Sequence, residues 1–139
     1  MVGVASDDPN IPITWLAEPT PEDYAAAATY LSQIMPVSLA RSIAEALTAP
    51  EAVAAFKAED IIRASLLPVL KTKDRHVKGA IKKVKAGIPL VPILLVRPGE
   101  PGGRLIIADG YHRACVAYQI ADDTPLPCRI TSIPTGKGS

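Results

Sequence analysis

Five consecutive residues, Asp109-Gly-Tyr-His-Arg113, put a carboxylate, a phenol, an imidazole and a guanidinium into one short turn. The apolar run Leu105-Ile-Ile-Ala108 before them reads as a buried strand, and the residues from Arg113 to about Ile120 as a buried helix. A strand, a tight Gly-containing turn and a helix start make a natural anion site. The free N–H groups and the positive end of the helix dipole both favour phosphate or carboxylate. Arg113 sharpens that expectation. A cation at a helix N-terminus opposes the dipole, and an anionic ligand would remove the conflict while using the guanidinium fork. Each residue also has a structural reading. Asp109 could be the N-cap of the helix, Gly110 could supply a positive φ, and Tyr111 could pack on the sheet edge.

A second chemistry lies in the basic segment. Lys71, Lys73, Arg75, Lys78, Lys82, Lys83 and Lys85 surround one acid, Asp74. Such a helix could track a phosphate backbone, although without interleaved aromatics; otherwise it is a solvated face. His76 and His112 are the only histidines. With Asp74 and Asp109 they would form a two-His, two-carboxylate metal set, but nothing in the spacing joins the two pairs, so no metal site is expected. No Ser/His/Asp arrangement, Walker-type loop or GxGxxG stretch is present to suggest other chemistry.

The elements that must position these groups follow from composition and pattern. At 139 residues the chain is one domain, or one domain with an appendage. Hydrophobic residues make up 48% but aromatics only 4%, so the core must be Ala, Val, Ile and Leu. No apolar run approaches the ~20 residues of a membrane span, and no secretory signal opens the chain, so a cytoplasmic protein without membrane contact is expected. Cys115 and Cys128 fall in core elements and read as buried free thiols. Residues 1–60 carry nine Asp/Glu against Arg41 and Lys57, a net −7, and residues 61–139 carry thirteen Lys/Arg against five Asp/Glu, a net +8, giving the overall +1. Opposed halves suggest two surfaces with different partners, one half screening the other, or simply two solvated faces.

Residues 1–19 look irregular, with an apolar patch around Ile13 and Trp15. Thr20-Pro-Glu-Asp23 is a helix start, and that helix is expected to reach about Met35. A second covers Ser38 to Leu47, and Thr48-Ala-Pro-Glu51 opens a third that runs through Val53 and Phe56 towards Ile61. The run Ile61 to Leu67 is ambiguous between helix and strand. Asp74 to Lys85 is a helix with Val77, Ile81 and Val84 on one stripe, ended by Gly87 and Pro89. Pro92 to Arg97 and Arg104 to Ala108 are strands, expected to be antiparallel, and Leu126 to Ile133 is the last strand. The tail after 133 reads as disordered.

The order and content of residues 56–133 resemble the ParB/sulfiredoxin-like superfamily. The resemblance rests on Val91-Pro-Ile-Leu-Leu-Val96, on Ile106-Ile-Ala-Asp-Gly-Tyr-His-Arg-Ala114 and on Leu126-Pro-Cys-Arg-Ile130. It implies a small mixed β-sheet with packed helices, an α+β fold, preceded here by an Ala-rich helical segment over 1–55. It also implies that the turn and following helix start hold nucleotide phosphates, through Gly110, Tyr111, His112 and Arg113. Asp109 resembles the turn acid of the free-serine-kinase branch. Asp74, His76 and Lys78 fall where relatives place residues at nucleotide and substrate. Sulfiredoxins have their catalytic Cys where Tyr111 stands, so sulfinic-acid reduction is not expected. ParB partition proteins carry Gly-Glu-Arg-Arg at the turn and further domains after it, so a chromosome-partition clamp is not expected either.

The expected function is therefore binding of a nucleotide, ATP or ADP with Mg²⁺, with phosphoryl transfer to a small hydroxyl-bearing substrate or hydrolysis as its chemistry. Asp109 or Asp74 would be the catalytic base. Two alternatives stand beside it: a DNA-binding protein or nuclease using Lys82, Lys83 and Lys85, and a non-catalytic module whose residues 20–60 bind a protein partner.

Overall fold

The computed structural model describes residues 12–121 and 123–134, so the tail expected to be disordered lies outside the described residues apart from Pro134. The elements are α1 (Pro21–Leu31), α2 (Val37–Ala46), β1 (Val53–Lys57), α3 (Ala58–Ser65), α4 (Arg75–Lys85), β2 (Ile93–Arg97), β3 (Ile106–Asp109), α5 (Tyr111–Ala121) and β4 (Pro125–Ser132). The strands form one mixed sheet in the order β1-β4-β2-β3, parallel only between β2 and β4. The chain is thus a small α+β protein. Among the described residues no helix is long and apolar enough to cross a membrane.

Strand β2 explains the layering. Four of its five residues are buried, as expected of a strand covered on both faces. Ile93 and Leu95 face a core shared with α3, α4 and α5. Leu94 and Val96 face a second core built with α1 and α2, around Ala27, Leu31, Ile43 and Leu47. Trp15 makes a bridge to Leu90 and packs on the first core with Ile13. The acidic N-terminal helices are therefore a layer of the same fold, and the expected boundary at 55/56 cuts through β1. Arg129 of β4 ties the layers together. Its guanidinium donates to the carbonyls of Leu47, Thr48 and Ala49, neutralising the C-terminal end of α2.

Local signals set several boundaries. Thr20 and Asp23 form a capping box: Asp23 N–H donates to Thr20 Oγ1 (3.3 Å) and Thr20 N–H to Asp23 Oδ2 (2.8 Å). Helix α4 closes in a Schellman pattern, with Ile88 N–H on Lys83 O, Gly87 N–H on Val84 O, and Gly87 at φ +79°. Pro125 and Pro127 sit where β4 pairs only with β1, where a missing donor is tolerated.

The expected third helix from Thr48 is corrected. Pro50–Ala52 makes a single 3₁₀ turn, and Val53-Ala-Ala-Phe-Lys57 is a strand paired to β4, Phe56 opposite Leu126. The start signal was genuine but local. Pairing with β4, about 70 residues away, outweighs the helix propensity of Ala54 and Ala55. The ambiguous run from Ile61 is helical, and α3 ends at Leu66 in the left-handed region, φ 61°.

Candidate functional site

Helix α5 begins two residues earlier than its pattern suggests, at Tyr111, so Gly110 occupies the capping position. Asp109 is not the cap; it is the last residue of β3, just past a bulge opposite Leu94 and Leu95. Glycine as cap has no side chain to cover the first turn, and among the described residues no side chain accepts from the N–H groups of Tyr111, His112 or Arg113. The first bond within the helix is from Ala114 N–H to Gly110 O, so the N–H groups of Tyr111, His112 and Arg113 precede it. Gly110 has φ +107°, and a Cβ there would stand 2.7 Å from Arg113 Nη2. The residue is glycine for conformation and for space alike.

The anion that Arg113 needs is supplied from within the chain. Nε donates to Val91 O (2.9 Å), and Nη2 donates to Pro92 O (3.3 Å) and Asp109 Oδ2 (3.0 Å). The pair is largely covered, with side-chain exposures of 20% and 18%. Burial pushes the Asp109 carboxyl above the usual range, with Arg113 pulling the other way and Asp23 of α1 adding to the rise. Arg113 is thus a brace between the turn and the start of β2.

Two imidazoles also stand at this turn. His76 and His112 each occupy the second position of a helix, α4 and α5, and their rings stand 4.6 Å apart at 37°. Sequence spacing did not join them; packing of α4 on α5 does. Burial lowers the His112 pKa, and His76 lowers it further, while Asp74 opposes both. The ring of Tyr111 lies 5.6 Å from His112. Asp74 caps α4, its Oδ1 accepting from His76 N–H (2.9 Å) and Val77 N–H (3.1 Å). The Val77 bond holds its carboxyl below the usual range; desolvation opposes it, and the His76 bond and the two imidazoles add to the lowering. Its cap satisfies α4, so the uncovered helix start at this corner is that of α5.

One stripe of α5 fixes the loop that carries Asp74. Tyr111 Oη donates to Pro68 O, Cys115 Sγ accepts from Leu70 N–H (3.4 Å), and Gln119 donates to Leu70 O (3.0 Å). Positions 111, 115 and 119 follow the four-residue spacing of one helix face, a signal the sequence does contain. Cys115 and Cys128 are buried free thiols; desolvation raises the first and pushes the second up to about 12, so neither is a ready nucleophile.

Lys71, Lys73, Arg75 and Lys78 are exposed around this corner, and Asp74 is the acid among them. Lys82, Lys83 and Lys85 lie further along α4, roughly 9–14 Å from His76 at 1.5 Å per residue. They occupy the last turn, where cations complement the dipole. Among the described residues no group of three His, Cys, Asp or Glu stands close enough to hold a metal ion. The chain matches no family model, no curated protein and no solved structure.

Proposed function

We propose that this chain is a nucleotide phosphate-binding protein of ParB/sulfiredoxin-like type, taking ATP or ADP at the start of α5. The observation that carries the reading is the first turn of α5, uncapped among the described residues, beside the His76–His112 pair, with the exposed Arg75 and Lys78 within two residues of His76 in the chain and Asp74 already used by α4. Backbone N–H groups at a helix start, imidazoles and ammonium groups together suit a phosphate chain. A strand entering the Gly110 turn and a helix leaving it are also what the resemblance leads one to expect.

In this reading the amides of Tyr111, His112 and Arg113 and the imidazoles of His76 and His112 bind phosphate oxygens. Lys78 neutralises charge, Arg113 holds the turn in shape, and Gly110 admits the guanidinium behind it. Mg²⁺ would share the charge neutralisation when bound with the phosphates. Asp74 has one carboxylate oxygen beyond its cap, Oδ2, and this can accept a hydrogen bond from the hydroxyl of a phosphoryl acceptor. Asp109 faces Arg113 and is placed less well for that task.

The test is a thermal-shift and calorimetry panel of ATP, ADP, CTP and GTP with Mg²⁺. An adenine nucleotide is expected to raise the melting temperature, with a stabilisation of about 2.7 kcal/mol at a hundredfold excess over Kd. His112→Ala and Lys78→Ala are each expected to weaken affinity about tenfold, a loss of roughly one charge-assisted contact. A melting temperature that no nucleotide moves would end the reading.

A further inference from the structure

The sheet carries a second cavity that the phosphate reading leaves unused. It lies beyond Leu94, towards the far end of β2, whereas Arg113 binds before β2 begins. There α3 and the sheet line a half-open pocket of about 230 Å³. The walls are Phe56, Ile61, Ala64, Leu95, Leu105 and Ile130. Two charged side chains border it, Asp60 and Arg97. Asp60 is matched by Arg63 at 2.9 Å. Arg97 makes no ion pair among the described residues, and its one side-chain bond is a long donation of 3.4 Å to Ser132 Oγ. Past Arg97 the cavity opens into a wider groove along the Pro98 to Gly103 loop, where Glu100 also stands without pairing to Arg97.

An arginine at the mouth of such a pocket, with most of its fork unused, supplies the polar element that small-molecule sites add to apolar walls. Size narrows the occupant further. An apolar cavity of about 150 Å³ accommodates benzene, so the larger space here takes a six-membered ring with a short chain. We infer that this cavity binds a small arylalkyl carboxylate, its ring against Phe56, Leu95 and Ile130 and its carboxylate on the Arg97 guanidinium. The inference does not depend on the phosphate site, and either can fail alone.

The probe is 3-phenylpropionate, with the neutral 3-phenylpropan-1-ol as its control, titrated into the full chain by amide NMR. The acid is expected to bind in the ~1 mM range and to shift amides in 56–64, 95–97, 105 and 130. It should bind about tenfold tighter than the alcohol. Arg97→Gln should erase that preference while leaving alcohol binding intact. Ala64→Phe, at an exposed helix position on the cavity wall, should abolish both. No shifts at these residues up to about 10 mM acid, well above the ~1 mM expected, would overturn the inference. So would equal affinity for acid and alcohol, or a preference that survives Arg97→Gln.

Discussion

Replacing Arg113 by alanine separates a brace from a ligand. The substitution removes three bonds from a charged donor, to Val91 O, Pro92 O and Asp109 Oδ2. Hydrogen bonds to charged groups contribute roughly 1.5–3 kcal/mol each when well formed. One of these is long at 3.3 Å, and a fifth of each side chain still meets solvent, which reduces the total. A loss of about 3 kcal/mol follows, which for a chain of this length is roughly 10–15 °C in Tm. Arg113→Lys keeps the charge but not the fork, and is expected to lose about half as much. Asp109→Ala is milder, about 1 kcal/mol, because it also removes a carboxylate whose burial is unfavourable. The double variant should fall short of the sum by about 1–2 kcal/mol, since the two residues share a bond.

The deficit of Arg113→Ala also carries a pH signature. Asp109 has a folded-state pKa already raised by burial, with Arg113 opposing that rise. Without Arg113 it rises further. A carboxyl whose folded pKa lies above its unfolded value holds its proton more tightly when folded, so stability falls as pH climbs from the unfolded to the folded pKa. The penalty of Arg113→Ala should therefore be smaller near pH 5 than near pH 7. Urea titrations of wild type, Arg113→Ala, Asp109→Ala and the double variant at both pH values measure this. An Arg113→Ala protein as stable as wild type, or strictly additive single variants, would refute the brace and return Arg113 to the role of a free phosphate ligand.

Gly110→Ala should cost at least about 2 kcal/mol, from the φ of +107° and the 2.7 Å approach of Arg113, and should cost less in an Arg113→Ala background, as denaturant midpoints will show. Leu66→Gly should raise the melting temperature by a few degrees, because a left-handed Leu costs about 1 kcal/mol and this one is 69% exposed and packs little. Lys82→Gln, Lys83→Gln and Lys85→Gln together should leave nucleotide affinity within about twofold; if the chain binds DNA, they should flatten its salt dependence by up to about three counterions. Loss of nucleotide binding in that triple variant would move the phosphate site to the end of α4.

What the sequence disclosed depended on how far apart the interacting groups stand in the chain. Thr20 with Asp23, and Val84 to Ile88, are contacts within five residues, and the start of α1 and the end of α4 are found where the pattern puts them, although α1 stops at Leu31, short of Met35. Strand β1 is two alanines, a valine, a phenylalanine and a lysine; it becomes a strand because β4 lies beside it, a fact without local trace. Arg129 closing α2 across some 80 residues is of the same kind, as is the packing of Leu94 and Val96 against Leu31 and Leu47. The turn shows the distinction most sharply. A cation at a helix start is unfavourable without an anion, which the sequence pattern assigned to a ligand. The anion lies four residues back, in Asp109, and the carbonyls that share the guanidinium lie about 20 residues back, so the arginine is occupied before any ligand arrives. The groups on which the phosphate proposal rests begin one residue earlier. His112 meets His76 from a helix 36 positions away in the chain, and the amides of the α5 first turn stay uncovered because the capping residue, Gly110, has no side chain. Glycine at that position is required to admit Arg113, so the brace and the uncovered turn have one physical cause.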